Sequence, residues 1–322
     1  LISLIVPDRY RSREVPYQFH TGGVSVGAHD KVVDGFRFMP PTLRSWFKKD
    51  IPDDDYKGLI PWTPLKRPVP QTTFALMTSA GISLKTDPPF DMEQEKRNPL
   101  WGDPTHREIP RNSLQDQIDA NHLHVFTGFI KEDMNVILPL QRFDEFEREG
   151  TIGRLAPTGY SFYGYQHDPS FLLNETMPKV AAKMRDEGVE AVLITPACPL
   201  CCRIVGWVAR YLEGQGFSTL CLTMVPEFHR LIGIPRVAAI EYPFGRPVGQ
   251  AHDAQGQRAV LLAAISCLEK AGKPGEVFHL PFTWPEESKE TVWHPPEISP
   301  ILRFFQSDIR KMREQEKKQG PV

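Results

Sequence analysis

Three of the chain's five cysteines fall within five positions, Cys198-Pro199-Leu200-Cys201-Cys202, and thiols at that spacing can carry redox or metal chemistry. Cys198, Cys201 and Cys202 stand at i, i+3 and i+4, which on a first helical turn share one face and let two thiols close to a disulfide. The thiolate is the nucleophile. A helix amino terminus favours that anion and draws the thiol below its free pKa of roughly 8.5, and Arg203 adds a cation one residue on. On this reading Cys198 attacks and Cys201 or Cys202 resolves. Two blander readings compete. Free cysteine is among the most often buried residue types, so thiols beside a core strand can be packing. Cys-x-x-Cys also supplies two ligands to a zinc or iron–sulfur site. The sequence holds no second such pair, so a metal would draw on Cys198, Cys201 and Cys202 with His122 and His124 from elsewhere.

The elements that must position these cysteines are legible around them. Ala191-Val192-Leu193-Ile194 is a short continuous apolar run, the mark of a parallel strand buried on both faces. Behind the cysteines, Ile204, Val205, Val208, Ala209 and Leu212 recur at helical spacing until Gly214 and Gly216 end the pattern. The cysteine turn therefore lies where a strand's carboxyl end meets a helix amino terminus, the place where open α/β sheets bind ligands. Further strands are expected at 72–78, 217–223 and 235–241. Helices are expected at 139–150, from Thr176 as a cap through Met184 to Gly188, and at 254–271. The alternation predicts an α/β fold: a doubly wound, mostly parallel sheet with helices on both faces. A long, irregular, proline-rich N-terminal arm over 1–70 would precede an α/β domain over 71–275, with a C-terminal extension over 276–322. The apolar residues of the arm suggest that it packs on the rest of the chain or on a second copy, which makes a homo-oligomer the expectation.

Other residues could join the thiols. If Asn121 to Phe126 is a strand, His122 and His124 share one face and could ligate a metal or shuttle protons; the competing reading is a polar sheet face at a loop edge. The aromatic segment 160–165 could wall a pocket through Tyr163, or simply pack an edge. The turn 242–249 follows a strand's carboxyl end and brings Glu241 and Arg246 as candidates for substrate contact or proton handling, unless they form a salt bridge that fixes the turn. His122, His124 and Glu241 are thus the general-acid candidates, and Arg203, Tyr163 and Arg246 the substrate-binding ones. Cys221 and Cys267 read as buried structural thiols.

Composition narrows the class. A net charge of −2 with no basic stripe argues against nucleic acid, and no apolar run is long enough to span a membrane. The first residues lack a signal-peptide pattern and the cysteines cluster instead of pairing across the chain, so the cytoplasm is the expected compartment. The 31 prolines are about twice the average share.

Several stretches resemble the selenoprotein B family of glycine, sarcosine and betaine reductases, which includes the selenocysteine subunit of D-proline reductase. They are Asp133 to Gly153, the aromatic segment, the strand at 191–195 with Cys198-Pro-Leu-Cys201, Pro235-Arg236 and Tyr242-Pro-Phe-Gly-Arg-Pro247. The resemblance is best over 130–270. Pro61-Trp-Thr-Pro64 and Lys85-Thr-Asp-Pro-Pro-Phe-Asp91 look like the D-proline-reductase branch. The resemblance implies that Cys198 replaces the nucleophilic selenocysteine and that Cys201 matches an assisting cysteine. The family's further cysteine falls on Ile204, and Cys202 is additional. It also implies reductive cleavage of a carbon–nitrogen bond; in the glycine-reductase branch a partner subunit's pyruvoyl group activates the amine, and no such group can be read in this chain. The expectation is a thiol-dependent reductase acting on a small molecule through a redox-active dithiol with no other cofactor, re-reduced by a thioredoxin-like donor and working beside a partner reductase subunit. The alternatives are a metal-dependent lyase or hydrolase, or a non-catalytic redox subunit of a larger complex.

Overall fold

A computed structural model describes residues 32–319, and the expected arm over 1–31 lies outside the described residues. In chain order the elements are α1 (Pro41–Lys48), β1 (Thr73–Thr78), β2 (Ile82–Leu84), α2 (Met92–Arg97), β3 (His106–Pro110), β4 (Ile118–Ala120), α3 (Gly128–Glu132), α4 (Leu140–Arg148), β5 (Arg154–Leu155), β6 (Thr158–Phe162), α5 (Met177–Asp186), β7 (Ala191–Thr195), α6 (Pro199–Gly214), β8 (Ser218–Thr223), α7 (Phe228–Ile232), β9 (Arg236–Glu241), α8 (Ala254–Lys270), β10 (Glu276–Thr283), α9 (Pro300–Phe304) and α10 (Gln306–Gln319).

The main sheet has the order β10-β9-β8-β7-β1-β6-β3, with β5 also on β1. Every pairing in it is parallel except that of β3 with β6. All residues of β6, β7, β8 and β9 are buried, so both alternating sets of side chains are covered, as a parallel sheet between helices requires. Helix α6 packs on β7 and β8, and α8 on β8 to β10. Arg258 of α8 ties that helix to α4 by pairing with Glu145 at 3.0 Å and Glu149 at 2.6 Å.

The path of the chain matters for the site. From β1 it moves to β6 on one side, then returns to β7 on the other side of β1. The strand order therefore reverses between β1 and β7, and a crevice opens beyond their carboxyl ends. The Cys198 turn follows β7 directly.

Three local expectations are corrected. Residues 121–127 form a loop, not a strand: after β4 the chain keeps one ladder-like bond, Asn121 N–H to Gly81 O at 2.9 Å, and then turns away. Thr176 does not cap α5 with its side chain, because a wide helical turn over Leu172–Thr176 precedes that helix and the hydroxyl donates to Pro104 O instead. Residues 276–283, unmarked as a strand by their pattern, form β10 at the sheet edge, where alternation is blurred by partial exposure of most positions and by Pro281.

Apart from α1 and short 3₁₀ turns at Gly35–Phe38 and Val69–Gln71, residues 32–72 are irregular, yet they are fastened to the core. Glu213 and Arg236 form a buried ion pair; Thr63 N–H donates to Glu213, Arg236 Nη2 donates to Thr63 O at 2.7 Å, and the guanidinium lies 3.5 Å from the Trp62 ring centroid. Among the described residues no helix is long and apolar enough to cross a membrane. Because breaking a buried pair strands the remaining charge, Glu213→Leu should cost about 3–5 kcal/mol of stability in urea unfolding.

Candidate active site

The β7–α6 turn sets the thiols. Cys198 is the N-cap of α6: its sulfur accepts the Cys201 N–H at 3.2 Å, taking the place of a capping oxygen. Pro199 at the first helical position suits a turn where no amide bond is needed. This geometry brings Cys198 Sγ to 2.7 Å from Cys201 Sγ, close to the roughly 2.05 Å of a disulfide. Cys202 does not share the arrangement. Its sulfur faces Cys198 O at 3.4 Å, and its surroundings are Thr223 at the end of β8 and Met224 and Val225 just past it. Burial pushes its thiol up to about 12. The expectation that three thiols share one face is thus corrected: i+4 turns towards the sheet.

Both close thiols are fully buried. Burial drives the Cys198 thiol well above its ordinary range, and hydrogen bonding and charge from Cys201 add to this. Burial acts in the same direction on Cys201, but the Cys198 sulfhydryl and the adjacent His122 overcome it and bring Cys201 well below the usual thiol value. The two shifts run in opposite directions, which makes Cys201 the more acidic sulfur of the pair.

His122 supplies the partner, its Nε2 lying 3.3 Å from Cys201 Sγ. Its Nδ1 accepts the backbone N–H of His124 at 3.1 Å. A ring nitrogen that accepts carries no proton, so a neutral His122 holds its hydrogen on Nε2, pointed at the Cys201 sulfur. His124 turns elsewhere: its Nε2 is 2.5 Å from Glu95 Oε1, and its ring stacks on Tyr165 at 4.2 Å. Tyr163 lies 4.8 Å from the His122 ring and donates its hydroxyl to the other oxygen of Glu95. Glu95, missed by sequence reasoning, sits in a charged run that looks solvated.

The strand ends complete the crevice. Ser79, just past β1, accepts the Ala197 N–H through its hydroxyl at 3.0 Å and the Gly164 N–H through its carbonyl at 3.0 Å. Gly164, past β6, has to be glycine: a Cβ there would come within 2.8 Å of Cys201 Sγ and 2.4 Å of Ser79 Cβ. His122 and Leu123 also line a cavity of about 620 Å³, bounded by Lys96 of α2, by Pro99 just after it, and by residues 295–300 with Arg303 and Phe304. That volume is in the range of small-molecule sites.

Three expected residues lie apart from the sulfurs or act on them indirectly. Glu241 binds Arg37 Nη1 at 2.5 Å and the Asp34 N–H at 3.1 Å. Both of its oxygens are thus engaged by the N-terminal segment. Arg246 donates to Val292 O at 2.9 Å between Phe129 and Trp284, and burial lowers it to about 10. It is a structural clamp, although its turn does reach the cysteines through Gly245 N–H to Ala197 O at 2.8 Å. Arg203 is half-buried near Tyr165 and Cys198, with Nη2 3.4 Å from Gln166 O. Cys221 and Cys267 are buried as expected. The metal alternative keeps only His122, Cys198 and Cys201, whose donor atoms lie within 4.8 Å of one another.

A paired thiol at a strand–helix turn of a parallel α/β sheet is the equipment of a thiol oxidoreductase. The comparisons agree. The family model for glycine/sarcosine/betaine reductase selenoprotein B matches residues 46–197, ending one residue before Cys198. The D-proline reductase subunit gamma of Acetoanaerobium sticklandii is 29% identical over 239 residues, which are 73% of this chain and 96% of that relative. The glycine reductase complex component B subunit gamma of Carboxydothermus hydrogenoformans is 24% identical over 63% of this chain and 46% of the relative. The sarcosine reductase complex component B subunit beta of Peptoclostridium acidaminophilum is 26% identical over 62% and 45%. The chain thus spans nearly all of the D-proline reductase subunit but about half the length of the other two. No solved structure matches. The chain is thus similar to the selenoprotein B family over residues 46–197 and to a D-proline reductase subunit over most of its own length, and its similarities are to oxidoreductases of that type.

Replacing His122 with Asn removes the donor facing Cys201. Ultraviolet thiolate absorbance at neutral pH should then fall, the apparent thiol pKa rising by a unit or more, about tenfold in ionised fraction per unit. Gly164→Ala should slow disulfide closure of the pair, read by mass spectrometry of oxidised protein, because the added methyl displaces the Cys201 sulfur.

Proposed function

We propose that this chain is the thiol-dependent catalytic subunit of a reductase that cleaves a carbon–nitrogen or other carbon–heteroatom bond of a small molecule. The observation that carries the reading is the Cys198–Cys201 contact of 2.7 Å with His122 Nε2 at 3.3 Å from the second sulfur; His122 also lines a cavity. Cys198, which the family resemblance aligns with the selenocysteine, attacks the substrate carbon while its proton passes to the Cys201 thiolate. The carbon–heteroatom bond breaks and its electron pair leaves with the heteroatom. Cys201 then attacks the Cys198 sulfur, the sulfur–carbon pair returns to carbon, and carbon takes up the proton that Cys201 gives up, with His122 Nε2 holding the Cys201 anion during the transfer. One thiol, one thiolate and R–X become a disulfide, R–H and X⁻. An outside dithiol donor, such as a thioredoxin-like protein, returns the two electrons.

The relatives are named as subunits of reductase complexes, which supports a partner subunit for this chain. All five cysteines are unpaired, in keeping with a reducing compartment such as the cytoplasm. The metal reading is favoured by the three clustered donors but disfavoured by their spacing. Two thiolates bound tetrahedrally at about 2.3 Å from one zinc would stand roughly 3.7 Å apart, well beyond the 2.7 Å separation of these sulfurs.

On mild oxidation of anaerobically purified protein, two thiols should disappear and return with dithiothreitol. Peptide mapping should join Cys198 to Cys201, and serine at either position should abolish the change while Cys202→Ser leaves it intact. Stoichiometric zinc lost on Cys201→Ser would instead establish the metal reading.

A further inference from the structure

Helix α2 has one buried residue, and that residue is charged. Glu95 is fully buried while the neighbouring Glu93 and Lys96 stay exposed and pair with each other at 2.6 Å. A position that served packing alone would be apolar, since a buried carboxyl group requires hydrogen-bond partners. Both oxygens of Glu95 have partners, and both partners belong to the wall of the dithiol site: His124 Nε2 at 2.5 Å and the Tyr163 hydroxyl. Burial and the charge of Glu95 push the Tyr163 phenol well above its ordinary range, so it keeps its proton and donates. The same phenol oxygen accepts the Leu123 N–H at 3.3 Å, and the next amide, His124 N–H, is bound by His122 Nδ1.

The 122–124 loop is thus held at both ends by one carboxyl group. His124 is gripped by its ring and Leu123 by its amide through Tyr163. His122, between them and the thiols, is oriented by the His124 N–H, by edge-to-face contact with the His124 ring at 5.6 Å and by the Tyr163 ring. We propose that Glu95 is the positioning residue of the dithiol site: by clamping His124 and Tyr163 it fixes the loop so that His122 presents Nε2–H to Cys201. This rests on the reading of Cys198 and Cys201 as the working pair. Glu95 touches neither sulfur in the contacts described, and its action runs through His122.

The sign of the response separates this role from its rivals. Glu95→Gln keeps the size but offers one acceptor to two donors, so one grip is lost. The loop loosens, His122 leaves Cys201, and the thiolate loses its donor. Ultraviolet titration of the reduced full-length protein should show the apparent thiol pKa rising by about a unit, a tenfold drop in ionised thiol. If Glu95 acted only as a nearby negative charge, its removal would lower that pKa, because a like charge disfavours the anion. If it were merely structural, the melting temperature would fall and the titration would not move. Tyr163→Phe removes a single hydroxyl with no change of charge and should move the titration upward by less; it keeps the test decisive where Glu95→Gln fails to fold. Glu95→Asp, which retains two acceptors, should restore part of the wild-type value. An unchanged or lowered pKa in folded Glu95→Gln overturns the proposal. A wild-type protein with no acidic thiol removes the dithiol reading itself, and this proposal with it.

Discussion

Two thiols held in contact and out of water are the constraint on which the site is organised. Burial by itself opposes ionisation of Cys201 as it does of Cys198, and the opposing forces are short-range: a sulfhydryl at 2.7 Å and an imidazole at 3.3 Å. Such donors help only while held at hydrogen-bonding distance, since a misplaced one leaves the anion uncompensated in a medium that screens poorly. The surrounding architecture supplies that constraint. Ser79, Gly164 and the Ala197 turn come from the ends of three adjacent parallel strands and are tied to one another by backbone bonds. The sulfur pair rests on a rigid junction and not on a free loop.

The position of the site follows from topology. Where the winding reverses between β1 and β7, the connecting segments leave in opposite directions and open a crevice. The cysteine turn enters it from β7, the Gly164 segment from β6, and the histidine loop from the small two-stranded sheet of β2 and β4. Side chains distant in sequence can meet there without any single element being unusual.

What could be read from the sequence was local. The apolar run of β7, the helical spacing of α6 and the i, i+3 thiols are each contained in a few residues, and they located the site. His122 and His124 were identified, but strand alternation placed their rings together; in the loop one ring goes to Cys201 and the other to Glu95. Glu95 was not legible, because nothing in Glu93-Gln94-Glu95-Lys96-Arg97 marks which charge turns inward. Glu241 was placed correctly at the end of β9, but its partner Arg37 is 204 residues away, a separation no periodicity spans. Cys202 was grouped with the reactive pair because spacing describes a face only to within a turn, whereas the neighbours of its sulfur come from the carboxyl end of β8.

Much of the cavity wall comes from residues 295–300 with Arg303 and Phe304, outside the span matched by the family model, whereas His122, which also lines it, lies within that span. The cavity is thus assembled from two stretches of chain, one inside the family-matched span and one outside it. A change in the second stretch would alter the shape of the cavity without touching the loop that holds His122 against Cys201.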